Sequence, residues 1–201
     1  MNESLQKMLE VLHLAEKLKM EMRHSWLSNG RRESVAEHTW RVSLMGMMIE
    51  PYLTEKIDSA RMLKMIIIHD LVEAEATDIP AFDTMNDAEL KKQKVINETK
   101  AIENLRNMLP APLGEETYEL WMEFENKATF EAKVANALDK LEAQIQHNEA
   151  DISTWLEIEH KMTFMMSKHT DFNPVLTEFK DLIEAEGSAK LKEAGIDMTK
   201  K

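Results

Sequence analysis

The chain has 201 residues, 43% of them hydrophobic and 31% charged, with a formal net charge of -12 and a pI near 5.1. This length and composition predict one compact domain, or at most two small ones, with a real core, and they exclude a disordered chain. The acidic balance argues against a nucleic acid polymer as partner, but leaves room for a small anionic ligand held by a local metal or a few arginines.

Only 5 Gly and 5 Pro are present, so turn signals are sparse and long helices are expected. The 16 Met read as flexible core filler. The chain has no Cys, which removes disulfides, thiolate metal sites and a Cys nucleophile together and fits a reducing compartment. The opening MNESLQKMLEVLHLAEKLKM is amphipathic and carries acids, unlike a signal or transit peptide, and no apolar stretch approaches the ~20 residues of a membrane span. The expectation is a cytoplasmic protein with no membrane segment.

In chain order, residues 4–20 place Leu5, Met8 or Leu9, Leu12, Ala15 and Leu18 at helical spacing. Residues 21–33 form a polar, basic break with a turn at Asn29-Gly30. Ser34-Val35-Ala36-Glu37 fits an S-x-x-E capping box, so a second helix starts at Ser34 and continues through Val42, Met45 and Ile49 to Pro51. A third helix is predicted from about Ser59 to about Ala76, stopped by Asp78-Ile79-Pro80. Residues 81–90 read as a loop, 88–109 as a charged helix, and LPAPLG at 109–114 as a turn. Helices follow at about 115–126, 130–147, 151–168 and Pro174 to about Glu186, with a polar, frayed tail after Gly187. No strand pattern stands out, so the fold class is all-α: a single domain over 1–186 and a tail over 187–201.

Among the 7 His, most have ordinary readings. His13 sits in the first amphipathic helix, and His147, His160 and His169 fall on polar helical surface where a solvated side chain is the default. His24 lies in the basic break, able to assist a site but in a setting where exposure is usual. Two others differ. His38 lies in the first turns of a capped helix, on a face shared with Met45 and Ile49. His69 follows three isoleucines in IIIHDLVEAEATDIP and is followed at once by Asp70. A carboxylate placed where burial is deepest needs a partner, because an unpaired buried charge costs several kcal/mol or more. Imidazoles from two helices plus a carboxylate are suitable ligands for a divalent metal; a core histidine bonded to a carboxylate fits the same pattern. Asp139, beside the apolar face of Leu138, Leu141 and Ile145, is a candidate fourth ligand. Glu73, four residues after His69 and three after Asp70, can share their helical face, and Asp78 lies where a loop can fold back over it.

The order H…HD…D, with ESVAEH before the first His and HDLVEAEATDIP around the pair, resembles the HD-domain metal phosphohydrolases, and more narrowly the HD-domain 5′-deoxynucleotidases. Arg23-His24-Ser25-Trp26 resembles an Arg and Trp placed before the first His in that family, and Glu73 to Asp78 matches its acidic pair. The likeness covers about residues 5–165, with core motifs over 23–140. It implies an HD-domain helical bundle in which His38, His69, Asp70 and Asp139 bind a divalent metal (Mn, Co, Mg, Fe or Zn). Arg23 and Trp26 would contact substrate, Arg23 orienting the phosphate. Glu73 would be the general acid/base with Asp78 beside it, or Glu73, Asp78 and the Ile79 carbonyl would hold a second ion. The implied reaction removes the 5′-phosphate from a deoxynucleoside monophosphate, and the family expectation is a homodimer. Two positions depart from the pattern: Thr77 precedes Asp78 where the family often has Gly, and Ser25 stands where close relatives have Gly. No His occurs between Asp70 and Asp139, which counts against a mixed-valent di-iron site. A phosphohydrolase acting on another small phosphate ester, and a non-catalytic helical binding protein, are the remaining readings.

Overall fold

The computed structural model describes residues 2–85 and 87–196. Helices α1 (Asn2–Ala15), α2 (Val35–Ile49), α3 (Ser59–Ile68), α4 (Glu73–Ala76), α5 (Ala81–Met85), α6 (Ala88–Met108), α7 (Ala111–Asn126), α8 (Phe130–Glu149), α9 (Glu157–Met162), α10 (Ser167–Thr170) and α11 (Pro174–Glu193) form a helical bundle. Its centre is α8, buried without interruption from Val134 to Asp139. Leu138 and Leu141 pack there against Met62, Met65 and Ile66 of α3, Val42 of α2, Leu120 and Phe124 of α7, and Leu176 of α11. Each such side chain contributes roughly 1.5–3 kcal/mol by leaving water.

The capping box forms as expected. The Ser34 hydroxyl accepts from the Glu37 amide, and the Glu37 carboxylate accepts from the Ser34 amide at 2.9 Å. The break before it is more ordered than its composition suggests: β1 (Met22–Trp26) and β2 (Arg32–Ser34) pair antiparallel around the turn at Asn29-Gly30. Met22 pairs with Ser34 and Trp26 with Arg32, so four residue steps on β1 face two on β2. Extra residues in one strand make a bulge, which re-aims side chains.

The predicted third helix is two helices. It breaks after Ile68 because two of its carbonyls are claimed by side chains: the His69 imidazole bonds the Ile66 carbonyl at 2.6 Å, and the Trp121 indole donates to the His69 carbonyl at 3.1 Å. The chain turns instead through tighter i→i+3 bonds, Leu71 to Ile68 and Glu73 to Asp70, each at 3.0 Å.

Other boundaries also shift. The first helix ends at Ala15 in a 3-10 turn, and it faces the core through Val11 and Leu14 while Leu5, Leu9 and Leu12 are exposed. Within the predicted loop 81–90, Ala81–Met85 is helical. The turn at LPAPLG is shorter than expected, since α7 begins at Ala111; a Cβ on Gly114 would lie 2.2 Å from the Arg106 carbonyl, so only glycine lets α7 sit this close to α6. Residues 151–168 break into a 3-10 turn, α9 and α10. The helix after Pro174 runs past Gly187 to Glu193 rather than fraying. Gly187 packs against Thr163 and Asn148, Leu191 is buried, and Lys190 Nζ donates to the Asn148 carbonyl at 2.6 Å. The rest of the predicted tail, 197–201, lies outside the described residues.

Candidate metal centre

The helix N-terminus at Ser34 sets His38 on the inner face of α2, fully buried, while the break after Ile68 turns His69 and Asp70 toward it. Asp139 reaches the same point from α8. His38 Nε2 lies 3.1 Å from Asp139 Oδ1 and 3.7 Å from Asp70 Oδ2, and His69 Nε2 lies 3.1 Å from Asp70 Oδ2 and 3.9 Å from Asp139 Oδ1. The structure therefore gathers all four residues of the sequence-derived ligand set. His38, His69 and Asp139 offer ligand atoms within 4.8 Å of one another.

The far nitrogens of the two rings decide what the near ones present. A carbonyl only accepts, so His69 Nδ1 carries the proton it donates to Ile66, leaving Nε2 with a lone pair. His38 Nδ1 lies against the Glu142 carboxylate, which likewise holds the proton at Nδ1. With an ion in place of the Nε2 protons, two imidazole lone pairs and two carboxylates would converge on one point. His69 Nε2 and Asp70 Oδ2 are buried and have no hydrogen-bond partner. Such a ring of donors to a cation fits a divalent ion, and the carboxylate behind His38 is the orienting partner that metal-bound histidines use.

The electrostatics agree. Burial and nearby Arg23 both oppose a charge on His38, yet Glu142 and Asp139 outweigh them and raise it to about 9, so without an ion Nε2 carries a proton against Asp139, the place a divalent cation would take. Burial opposes the charged form of Asp70, but His69 and His38 hold it below its ordinary range. Arg23 remains charged despite burial because Asp70, Asp78 and Asp139 face it; its Nη1 is 3.7 Å from Asp70 Oδ2. Glu73 is 5% exposed, and burial with Asp70 and Asp78 pushes its carboxyl well above the usual range. Its Oε2 has no hydrogen-bond partner.

Above this floor is a cavity of about 340 Å³, lined by Arg23, Asp70, Glu73, Asp78, Ile79 and Asp139 at the ligand end. The β1 bulge brings the consecutive Arg23, His24 and Ser25 onto its wall, whereas a regular strand would send alternate side chains to opposite faces. Trp26 is not among the lining residues: Arg32 stacks over its ring, and Gln146 Nε2 donates to its carbonyl at 2.6 Å.

Several side chains around this centre escaped sequence reasoning. Glu142 is fully buried, and Arg41 Nε donates to its other oxygen at 2.6 Å; its position three residues after Asp139 was the available signal. Lys140 Nζ lies 2.8 Å from Asp139 Oδ2 and, with Lys94, adds positive charge to the cavity wall. His147, expected on a solvated surface, is 7% exposed and lines the cavity, because α8 is buried on more sides than its polar residues suggest.

Residues 15–180 match the family model described as HD domain. The chain belongs to the HD domain family. Among curated relatives of this HD domain, the 5'-deoxynucleotidase HDDC2 of Homo sapiens is 30% identical over 194 residues, covering 93% of this chain and 89% of the relative. The Dictyostelium discoideum protein of the same name is 32% identical over 145 residues, covering 69% and 74%. Among solved structures, a predicted metal-dependent phosphohydrolase from Magnetospirillum magnetotacticum MS-1 superposes with a TM-score of 0.76 at 26% identity, covering 96% of this chain and 97% of that chain.

Proposed function

We propose that this HD domain is a metal-dependent phosphomonoesterase that removes the 5′-phosphate from deoxynucleoside monophosphates. The observation that carries the reading is the convergence of two imidazole Nε2 atoms and two carboxylates, with His69 Nε2 and Asp70 Oδ2 unpartnered, on the floor of a cavity that Arg23 also enters. The activity named for the human and Dictyostelium relatives supports the choice of substrate.

His38, His69, Asp70 and Asp139 would hold a divalent ion; Mn, Co, Mg, Fe and Zn all suit two imidazoles and two carboxylates. Such an ion supplies Lewis acidity and makes hydroxide available near neutral pH. Arg23 binds and orients the phosphate. Glu73, kept protonated by burial and by Asp70 and Asp78, gives its proton to the 5′-oxygen as the phosphorus–oxygen bond breaks and water oxygen takes its place on phosphorus. The products are a deoxynucleoside and inorganic phosphate. A second reading gives Glu73, Asp78 and the Ile79 carbonyl to a second ion; all three residues line the same cavity end, and the buried Oε2 of Glu73 is unpartnered. Trp26 keeps a substrate role only through the bulge it anchors, with His24 taking its place on the wall.

The domain acts on small nucleotides rather than on nucleic acid polymer, and it works in the cytoplasm as a homodimer. The absence of Cys supports the compartment, and no described helix is long and apolar enough to cross a membrane. Trp40, Leu44, Met47 and Met48 on α2, at 38% to 65% exposure, with Leu5, Leu9 and Leu12 on α1, supply apolar surface for a second copy. The test is a phosphate-release screen of deoxy- and ribonucleoside monophosphates with each of the five metals, alongside Asp70→Ala. Release from deoxynucleotides by the native chain alone is the expected result. No hydrolysis with any metal, or full activity in the variant, overturns the reading.

A further inference from the structure

Helix α6 carries one lysine that is placed unlike its neighbours. Lys91, Lys92 and Lys100 are exposed, whereas Lys94 turns inward and lines the cavity. Its Nζ lies 3.2 Å from Glu98 Oε1, one turn further on, and Glu98 is only 9% exposed in a strongly charged helix. The pair does little for the helix itself. With Lys N-terminal to Glu, the i,i+4 orientation is the weaker of the two, and an ion pair drawn out of water roughly balances its own desolvation. α6 lies along the segment that carries Glu73: Val72, Ala101 and Ile102 share one apolar cluster, and Asn104 Nδ2 donates to Glu75 Oε2 at 2.9 Å.

Among the described residues, the Arg and Lys side chains that line the cavity are Arg23, Lys94 and Lys140. Lys140 Nζ is 2.8 Å from Asp139 Oδ2, and Arg23 lies between Glu33 Oε2 at 3.5 Å and Asp70 Oδ2 at 3.7 Å. Lys94 is paired with Glu98, outside the ligand set and off the cavity wall. Burial opposes its charge, but Glu98, Glu73 and Asp78 outweigh burial and keep the ammonium protonated. Glu73 thus feels two cations, Arg23 from β1 and Lys94 from α6. An ammonium has three donors, and Glu98 takes one. A phosphate monoester carries about -1.5 to -2 charges at neutral pH, more than one guanidinium offsets.

We propose that Lys94, braced by Glu98, is a second phosphate-binding cation that meets the phosphate from α6 while Arg23 holds it from β1. The inference rests on the phosphomonoesterase reading above and adds to it a binding residue outside the ligand set. The two cations divide the work by their shapes. A guanidinium is a planar fork that fixes orientation, whereas an ammonium is a point charge that adds affinity. Lys94 meets phosphate oxygens that are present in substrate and in released inorganic phosphate alike, so its effect falls on the binding of both.

The test uses inorganic phosphate as the probe, titrated by calorimetry into the metal-loaded chain. Lys94→Gln should weaken phosphate binding about tenfold, while Lys94→Arg, which keeps the charge, holds it within about threefold. Lys91→Gln makes the same charge change at an exposed position of α6 and should leave phosphate affinity as it is. In parallel, KM for a deoxynucleoside monophosphate should rise about tenfold in Lys94→Gln with kcat within about threefold of the native value. An ion pair that served only the helix would shift the melting temperature and neither of these readouts. No phosphate binding by the native chain, unchanged phosphate affinity in Lys94→Gln, or as large a loss in Lys91→Gln or Lys94→Arg overturns the assignment. Phosphate binding that depends on Lys94, without hydrolysis of any nucleotide, would leave Lys94 in its role and remove the phosphatase reading instead.

Discussion

The Glu142 carboxylate lies between His38 and Arg41, one oxygen against His38 Nδ1 and the other 2.6 Å from Arg41 Nε. It does not line the cavity, yet it holds a proton at His38 Nδ1 and so leaves Nε2 as the nitrogen that faces His69, Asp70 and Asp139. Glu142→Ala is expected to weaken divalent-ion affinity about 10- to 100-fold, with Glu142→Gln recovering part of the loss through its amide oxygen. Titration of the metal-free protein against a competing chelator measures this, and removing the ion from the native chain should lower its melting temperature. Unaltered affinity in Glu142→Ala would show that His38 needs no orienting partner.

Glu73→Gln separates the two roles open to that residue. As proton donor to the 5′-oxygen, its loss should lower kcat about 10²- to 10⁴-fold while the first ion binds as before. Should Glu73 instead hold a second ion, the variant loses one equivalent of bound metal. Metal analysis of the same sample, run beside the kinetics, distinguishes the outcomes.

Thr77 has φ 66° and ψ 151°, a region that suits glycine and that a β-branched residue enters only under strain. It immediately precedes Asp78, whose amide donates to Glu21 Oε1 at 3.1 Å, so the strain is spent on presenting the acidic loop. Thr77→Gly should raise stability by about 1 kcal/mol, the relief of strain exceeding the added freedom of the unfolded chain. A lower midpoint in urea for this variant would contradict the assignment.

Acid should unfold the domain partly through two histidines. Burial lowers both His147 and His169 to about 4 from an ordinary 6.5, with nearby cations adding to the effect. Between those values the unfolded chain takes up protons that the folded chain refuses, so this stability is complete above pH 6.5 and is lost as pH falls toward 4. For His147, the more buried, the loss is on the order of 3 kcal/mol. Denaturant melts at steps of pH should show the decline, and His147→Phe should flatten it. An equally steep profile in that variant would assign the decline to other groups.

The four residues that meet at this point were legible because their signals are local and patterned: ESVAEH starts a capped helix, and HD interrupts an apolar run that has no other reason to hold an acid. Asp139 was visible for the same reason, as a charge beside an apolar stripe. What surrounds these residues was not legible. Glu142 and Arg41 act through a contact between α2 and α8, and nothing near either in sequence shows it. The break after Ile68 depends on Trp121, a side chain 52 positions downstream of the carbonyl it binds. His147 was misread because its helix carries enough polar residues to look solvated while packing on most of its circumference. The hairpin at 22–34 was hidden because its strands are short and irregularly paired, which erases the alternation that marks a strand.

One consequence follows from α8 carrying both Asp139 and His147. A helix is a ruler with a fixed pitch, so the separation between Asp139 and His147 is set by residue count rather than by loop positions. Inserting one residue between them would rotate His147 by about 100° and carry it off the cavity wall while leaving Asp139 in place. The span of cavity wall between these two side chains is thus fixed by a rigid rod.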